Sequence, residues 1–425
     1  MKPDVHVLKN GLKVILIDTK AFPSVTTLLL VGAGSRYETK ENNGIAHFLE
    51  HMFFKGSPKY PTPYEVSTAI EGLGGAWNAF TSKDYTGYYI KATNEHFNTM
   101  IDILSDILLH PLLDPREIEK EKGVITEEIN MYEDMPQSRV GEIFENLLYP
   151  HSPLGFDVIG TKESISSFSK KTFTDYMDSL YRPSNGVLIV AGGLGGRTDY
   201  LKKIEDTFGQ WEDHRFKTYE RVKEAQRSPQ IQMYTKKTEQ AHFCLGFRAF
   251  PFSDHRRYAL TVLSTVLGGG ASSRLFMEVR ERKGLCYYIH TSRQHYADSG
   301  NLATQAGVPK DIVKLKLAVN ATLEEHKKLS LGNITDEEIS RAKEIIKGHF
   351  FLSLEDSYNV ASYYGKRNLL ERSMVSPEDY IVELGKVTKD DITTLAKTLF
   401  VPNNLNIAVV GPFEQTNLKA SDLVL

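Results

Sequence analysis

The sequence predicts an α+β protein made of two homologous α/β units. Strand-like and helix-like segments alternate through the first half of the chain, and turn or cap residues bound them. A helix end, a Pro/Asn turn and a buried strand recur in the same order at 180–192 and 399–411. Pro183 and Pro402, one in each turn, lie 219 positions apart in a chain of 425 residues. A chance match is the alternative, because such turns are common before strands, but a repeat at this distance indicates one unit in each half.

The first unit begins with a predicted β-sheet. Residues 5–8 and 12–18 have strand-like patterns on either side of Asn10-Gly11, and Asn-Gly supplies the positive φ angles of a type I′ hairpin turn. Three further strands are expected, at 24–31, 77–81 and 85–92. Three helices are expected from their N-cap residues, at 63–73 after Thr62, at 95–109 after Asn94 and at 115–134 after Asp114. Strands and helices are therefore mixed within one unit.

The composition is that of an ordinary globular protein. Hydrophobic residues make up 41% and charged residues 25% of the chain, which excludes disordered and collagen-like classes. The net charge is -3, and a nucleic-acid or anionic-membrane partner would require a clear basic excess. The most apolar stretch, 25–31, is too short to span a bilayer. We therefore expect no nucleic-acid partner and no membrane partner.

The cysteine count and the N-terminus bear on location. Cys244 and Cys286 are the only cysteines, too few for a disulfide framework or a cysteine-based zinc site. The first six residues lead directly into strand-like sequence, without an apolar or Arg-rich leader. We therefore expect a reducing, cytoplasmic location.

His47-x-x-Glu50-His51 is the strongest chemical signal in the sequence. At about 100° per residue, the histidines lie about 40° apart around a helix, and Glu50 lies about 60° to the other side of His47. Two neutral imidazoles one turn apart can bind one Zn²⁺, and the adjacent carboxylate can act on a metal-bound water as general base. The alternatives are a chance match or a helix with satisfied histidines, but burying three ionisable groups among apolar neighbours without a metal is costly. The pattern therefore favours a zinc site.

A zinc site of this kind needs a third protein ligand and one position open for water. The acidic helix at 115–134 offers six candidates: Glu117, Glu119, Glu121, Glu127, Glu128 and Glu133. Glu121 and Glu128 are seven residues apart, about 20° from alignment, so both could face the metal helix. Helical geometry alone does not choose between Glu127 and Glu128, and most of these carboxylates must be solvated.

The zinc motif, with Glu128 following His51 by 77 residues, resembles that of the M16 inverzincins, the family of pitrilysin, insulinase and mitochondrial processing peptidase. The size and two-unit layout are similar to the short M16B branch of bacterial processing-peptidase-like proteins. The resemblance implies one Zn²⁺ per chain held by His47, His51 and Glu128, with Glu50 as general base and Glu121 as the carboxylate that orients the ligands. It also implies a LuxS/mitochondrial-processing-peptidase-like fold, in which each unit is a mainly antiparallel sheet packed with helices.

Two further segments are similar to motifs of this family. One, at 74–82, is similar to the active-site edge strand, and the resemblance implies a substrate-binding strand of Ala76, Trp77, Asn78, Ala79 and Phe80. The unpaired N–H and C=O groups of an edge strand bind any peptide main chain; without the zinc motif, a Gly-Gly turn entering an ordinary strand would be the simpler interpretation. The other, at 268–287, resembles the segment of the family's R/Y pair. It implies that Arg280 and Tyr287 donate to substrate carbonyls and assist zinc at the developing oxyanion.

The domain organisation follows from the repeat and a charged segment. Residues 211–228 are charged and poor in apolar pattern, which is typical of a linker. We place an N-terminal zinc-binding catalytic domain at 1–215, the linker at 216–228 and a C-terminal domain with the R/Y pair at 229–425.

The expected activity is that of a zinc-dependent endopeptidase acting on peptides or unfolded polypeptide segments in an enclosed chamber. In the resembled family two chains enclose one chamber, which implies a homodimer with each site completed in trans, or a heterodimer with a paralogous chain. The alternative function is a non-catalytic structural subunit, like degenerate relatives in respiratory complexes. Such relatives usually lose the zinc set or the R/Y pair; the presence of both therefore favours the enzyme.

Overall fold

The structure, a computed structural model, describes residues 2–196 and 198–425. The strands are β1 (Asp4–Val7), β2 (Lys13–Asp18), β3 (Ser24–Val31), β4 (Ala76–Thr81), β5 (Thr86–Thr93), β6 (Gly186–Gly192), β7 (Gln230–Thr235), β8 (Gln240–Ala249), β9 (Tyr288–His295), β10 (Gly300–Pro309) and β11 (Leu405–Gly411). The helices are α1 (Ile45–Phe53), α2 (Pro63–Glu71), α3 (Phe97–Leu109), α4 (Pro115–Glu133), α5 (Pro136–Leu148), α6 (Lys162–Ser167), α7 (Lys170–Leu180), α8 (Tyr200–Phe208), α9 (Arg257–Gly268), α10 (Ile312–Ser330), α11 (Asp336–Ser353), α12 (Ser357–Lys366), α13 (Pro377–Gly385) and α14 (Lys389–Leu399). Among the described residues, no helix combines the length and apolarity that a bilayer crossing requires.

The chain folds into two compact units. Unit one contains the described residues up to Ile129, together with Phe156–Glu220 and Phe351–Pro377. Unit two contains Asn130–Gly155, Arg221–Phe350 and Glu378–Leu425. Each unit thus includes a segment from the opposite half of the sequence. The linker at 216–228 stays a prediction, and the predicted domain bounds do not include these exchanged segments. Residues 211–227 form neither helix nor strand.

Unit one is built on a six-stranded sheet with the order β1-β2-β6-β3-β5-β4. β2 and β6 are parallel, and every other neighbouring pair is antiparallel. β6 is buried at every residue and β3 at all but its first, as expected of central strands that are covered on both faces. On one face, Val360, Ala361 and Tyr364 of α12 pack against side chains of β2, β3 and β6. β4 lies at the edge of this sheet.

Unit two repeats this plan. Its five-stranded sheet has the order β7-β11-β8-β10-β9, with β7 and β11 parallel and the other pairs antiparallel. This order corresponds strand by strand to β2-β6-β3-β5-β4. Three-residue 3₁₀ turns that begin at Pro183 and Pro402 directly precede the equivalent strands β6 and β11. Here α5 covers one face, with Val140 and Phe144 packed in the same cluster as Cys244. The predicted fold of two homologous, mainly antiparallel units packed with helices is confirmed.

The hairpin between β1 and β2 is present, but its turn is not the predicted type I′. Gly11 has a φ of 89°, whereas Asn10 is not among the residues with positive φ, and a type I′ turn needs both. The N–H of Gly11 instead donates to the carbonyl of Leu8 at 2.9 Å. The Asn10 side chain donates to the carbonyls of Phe208 and Trp211. These acceptors are distant in sequence, so the Asn10-Gly11 dipeptide alone does not predict the contacts that Asn10 makes.

Candidate metal centre

Helix α1 carries the predicted zinc motif on one face. The helix follows Gly44, which has a φ of 92° and where a Cβ would lie 2.6 Å from the carbonyl oxygen of Ile159. Its apolar face is buried and consists of Ile45, Ala46, Phe48, Leu49, Met52 and Phe53. His47, Glu50 and His51 occupy the other face and are half-buried. Burial of the apolar face therefore both forms the helix and directs the three polar groups to one place.

A buried carboxylate, Glu38, closes the N-terminus of α1. Its Oε2 accepts hydrogen bonds from the N–H of Gly44 and the amide of Asn43, both at 2.8 Å, and its Oε1 accepts from the N–H of Ala46 at 2.9 Å. Burial raises the pKa of Glu38 to about 7, although these hydrogen bonds and the charge of Lys83 act in the opposite direction. The first N–H groups of a helix have no partner within the helix, so the oxygens of Glu38 that accept from them fix where the metal helix begins.

Three side chains in unit one could hold one metal ion together. His47, His51 and Glu128 each offer one ligand atom, and these atoms lie within 4.8 Å of one another. Oε2 of Glu128, on α4, lies 3.8 Å from Nε2 of each histidine. Glu127, the alternative that helical geometry left open, is exposed and outside this group. The part of the chain that the structure describes contains no second cluster of this kind.

Glu121 lies next to the ligand atoms and contacts one of them. Its side chain is 4% exposed, its Oε1 lies 2.8 Å from Nδ1 of His51 and its Oε2 lies 2.6 Å from Nζ of Lys55. Burial alone would raise the pKa of Glu121, but the hydrogen bonds from His51 and Lys55 outweigh burial and hold the pKa below its usual value. A carboxylate on the second ring nitrogen is the usual device that orients a metal-binding histidine.

The donor set fits zinc. Two imidazole nitrogens and one carboxylate oxygen are ligands of catalytic zinc sites, which keep one position open for water. Burial, aided by the charge of His51, lowers the pKa of His47 to about 3, so the His47 ring is neutral at neutral pH and can offer a lone pair. Burial also raises the pKa of Glu128, and a bound dication would offset that cost of holding the carboxylate ionised.

Glu50 lies beside the candidate ligands without belonging to their cluster. Its Oε2 accepts a hydrogen bond from the hydroxyl of Thr81 at 2.6 Å. Burial raises the pKa of Glu50, and the Thr81 hydrogen bond and the charge of His51 oppose this effect. A carboxylate with a raised pKa is suited to general-base work near neutral pH. Sequence reasoning alone misses Thr81, although the period-two alternation of β4 puts it on the same face as Trp77 and is a signal that could find it.

The predicted substrate strand, Ala76–Phe80, lies within edge strand β4. Among the described strands, β4 pairs with β5 alone, in an antiparallel register from Ala76 opposite Lys91 to Thr81 opposite Thr86. The ring of Trp77 packs against that of Phe54, the residue after α1, with 4.5 Å between the two ring centres. The strand with the free edge is therefore attached to the end of the helix that carries the zinc motif.

Arg280 and Tyr287 lie close together in unit two. Arg280 belongs to a short π-helical segment, Phe276–Arg282. Its guanidinium carbon lies 4.4 Å from the ring centre of Phe276 and 5.9 Å from that of Tyr287, within the range of cation–π attraction. Tyr287 is 73% exposed, so its hydroxyl is accessible to a ligand. The action of this pair on a metal site stays a prediction.

Comparison with protein families gives two matches along the chain. Residues 13–162, which include the zinc motif and Glu128, match the model of the insulinase family of peptidases, family M16. Residues 167–346, which include Arg280 and Tyr287, match the model of the M16 inactive domain. The second match agrees with the absence of an H-x-x-E-H motif from the second half of the sequence.

Similar proteins and solved structures extend along nearly the whole chain. YmxG of Bacillus subtilis, named an uncharacterized zinc protease, is 37% identical over 96% of this chain and 98% of its own length. A protein of Streptomyces coelicolor with the same description is 31% identical over 96% of this chain and 89% of its own. Among solved structures, a protease from Helicobacter pylori has a TM-score of 0.90 at 24% identity, covering 97% of this chain and 99% of that one; this likeness shows the fold. On the family matches and the extent of these relatives, the chain belongs to the M16 (insulinase) family of peptidases.

Proposed function

We propose that the protein is a zinc-dependent endopeptidase that hydrolyses peptides or unfolded polypeptide segments and holds one zinc ion per chain. The observation that carries the proposal is the cluster of three donor atoms from His47, His51 and Glu128 within 4.8 Å. Bound zinc supplies a Lewis acid that polarises the scissile carbonyl and lowers the pKa of water. The names of the relatives, zinc proteases, support the choice of metal.

Glu50 serves as the general base. Its carboxylate accepts a proton from the attacking water and returns that proton to the nitrogen of the leaving amine. Its raised pKa suits both steps, because the group gains and then loses a proton in each turnover. Glu121 keeps the His51 ring oriented, and Lys55 balances the buried charge of Glu121.

The free edge of β4 binds the substrate. An extended peptide adds to an exposed sheet edge through main-chain hydrogen bonds, which any sequence can make. The edge also adjoins Glu50, because Thr81 of the same strand contacts that carboxylate. Peptides and unfolded segments are therefore the substrates, since a folded protein offers few extended strands with unpaired backbone groups.

We further propose that two chains form a C2 homodimer around an enclosed chamber. Arg280 and Tyr287 of one subunit donate hydrogen bonds to the substrate carbonyl oxygen at the other subunit's metal site, where negative charge develops. The support is the resemblance to the M16 family together with the presence of both parts of the site in one chain, which a self-pairing protein requires. A paralogous chain is the alternative partner.

Zinc quantification joined to a peptide-library digest tests the proposed function. The expected result is about one zinc per chain, cleavage within peptides, loss of cleavage with a chelator and its return with added zinc. The alternative is a non-catalytic structural subunit of the M16 type. A folded chain that binds no zinc, or that binds zinc but cleaves no library peptide, would favour this alternative.

A further inference from the structure

We propose that Thr81 is a positioning residue that holds the carboxylate of Glu50 and connects it to the peptide-binding strand. The proposal deepens the proposed function and rests on it. Its basis is the hydrogen bond of 2.6 Å from Oγ1 of Thr81 to Oε2 of Glu50. A hydroxyl donating to a carboxylate at this distance is a strong, charge-assisted hydrogen bond.

The alternation of β4 explains why Thr81 reaches Glu50. Side chains two residues apart lie on the same face of a strand, so Trp77 and Thr81 share a face. Trp77 packs on Phe54 beyond the end of α1, and Thr81 contacts Glu50 within α1. A strand rises about 3.3 Å per residue, so the two contacts lie about 13 Å apart along β4. β4 is therefore joined to α1 at two separate points.

Two tyrosine hydroxyl groups also lie near Glu50. The hydroxyl groups of Tyr88 and Tyr181 are buried near this carboxylate, but they lie 2.7 Å from each other and form their own hydrogen bond. In the described part of the chain, the hydroxyl of Thr81 is the side-chain donor that contacts Glu50. This contact holds Oε2, and a carboxylate held at one oxygen can present the other to a proton of water.

The hydroxyl is important for geometry because the carboxylate can otherwise turn. Rotation of the carboxylate about its last side-chain bond costs little energy, so the hydrogen bond from Thr81 is what fixes its orientation. A displacement of about 1 Å at a reacting group can reduce a rate about 100-fold.

The same contact links substrate binding to the base. Thr81 is the last residue of β4, and a peptide that adds to the free edge orders the backbone of that strand. Ordering the Thr81 backbone also orders its hydroxyl, because a β-branched residue has few χ1 rotamers. The Glu50 carboxylate is therefore best fixed when substrate is bound, and its effect belongs to kcat rather than to KM.

Steady-state kinetics of Thr81 variants in the zinc-loaded, full-length protein test the proposal. Thr81→Val removes the hydroxyl but keeps the side-chain shape, so we expect kcat to fall about 10- to 100-fold with KM within about twofold. Thr81→Ser restores a hydroxyl and should recover kcat to within about threefold. Zinc content and the melting temperature should match wild type in both variants. A crystal structure of Thr81→Val should show the Glu50 carboxylate rotated or shifted.

Thr93 provides a matched control in the same sheet. Its hydroxyl also donates to a glutamate, Glu95, at 3.2 Å, but at the exposed end of β5. Thr93→Val should therefore leave kcat and KM unchanged. If Thr81→Val lowers kcat no more than Thr93→Val does, or if Thr81→Ser fails to recover it, the proposal is wrong. Loss of zinc or a large fall in melting temperature in Thr81→Val would show a structural role for the hydroxyl and would also overturn it.

Glu50→Gln separates this proposal from the proposed function. If Glu50→Gln remains active, Glu50 is not the base and the proposed mechanism fails together with the role of Thr81. If Glu50→Gln is inactive while Thr81→Val is fully active, the mechanism stands and the role of Thr81 alone is refuted. Thr81→Ala provides a second variant without a hydroxyl in case Thr81→Val does not fold, with the same expected loss of kcat.

Discussion

Replacing Glu121 by glutamine should weaken zinc binding without removing a ligand. The carboxylate is 4% exposed and contacts Nδ1 of His51 at 2.8 Å and Nζ of Lys55 at 2.6 Å. An amide keeps the shape but loses the charge that orients the ring and balances the lysine. Loss of such a contact typically weakens metal binding about 10- to 100-fold, which corresponds to about 1.4 to 2.7 kcal/mol.

Two neighbouring substitutions bracket this magnitude. Glu128→Gln removes the carboxylate that lies 3.8 Å from both histidine Nε2 atoms, and we expect a loss greater than about 100-fold because one of three ligands is gone. Glu127→Gln changes an exposed residue outside the cluster and should leave zinc affinity within about twofold. Zinc affinity should therefore be highest in Glu127→Gln, intermediate in Glu121→Gln and lowest in Glu128→Gln.

The assay is competition for zinc against chelators of graded affinity at one neutral pH, with far-UV circular dichroism to verify folding. Lys55→Met tests the second contact of Glu121. Lys55→Met should weaken zinc binding less than Glu121→Gln does, because the contact between the Glu121 carboxylate and His51 remains. The reasoning is refuted if Glu127→Gln loses zinc while Glu128→Gln retains it, or if Glu121→Gln binds zinc as tightly as wild type.

Three further outcomes are expected. Glu50→Gln should keep zinc and fold but lose turnover, because an amide cannot accept the proton of water; normal hydrolysis at equal zinc content would contradict this. If each site is completed in trans, mixing Glu50→Gln with Tyr287→Phe should restore about a quarter of wild-type activity when the subunits exchange statistically. No rise in activity after confirmed exchange would mean that Tyr287 acts in cis or not at all. Burial raises the pKa of Glu38 from 4.5 to about 7, so its contribution to stability is fully present below about pH 4.5 and is lost as pH rises through about 7. In urea unfolding of the zinc-free protein, the stability of wild type relative to Glu38→Gln should fall by up to about 3 kcal/mol over that range, and a difference independent of pH would contradict the assignment.

The features that local pattern could predict are those that depend on neighbours in sequence. The helical spacing of His47, Glu50 and His51 puts them on one face of α1 whatever the rest of the chain does. The expected strands at 77–81 and 85–92 correspond to Ala76–Thr81 and Thr86–Thr93. The repeat around Pro183 and Pro402 indicated two units, because each unit repeats a complete local sequence of turn and strand.

The features that pattern could not predict depend on distant contacts. Glu127 and Glu128 differ by about 100° around a helix, and only the packing of α4 in the folded unit decides which of them faces the histidines. The contact of Lys55 with Glu121 joins two helices, and the contact of Thr81 with Glu50 joins a strand to a helix. The exchange of α5 and α12 between the halves is similarly non-local, since their apolar faces would suit any sheet.

The electrostatics of the centre bear on the choice between an enzyme and a structural subunit. Burial raises the pKa of Glu50 and Glu128 and lowers that of His47, so each of these groups is less stable in its charged form than it would be in water. A cluster of this kind costs folding energy in a purely structural protein, where packed apolar residues would serve at least as well. A dication reverses the balance, because it stabilises the carboxylates and uses the neutral histidine as a ligand. The cost is therefore best explained by a metal held by His47, His51 and Glu128, which favours the proposed enzyme over a structural subunit.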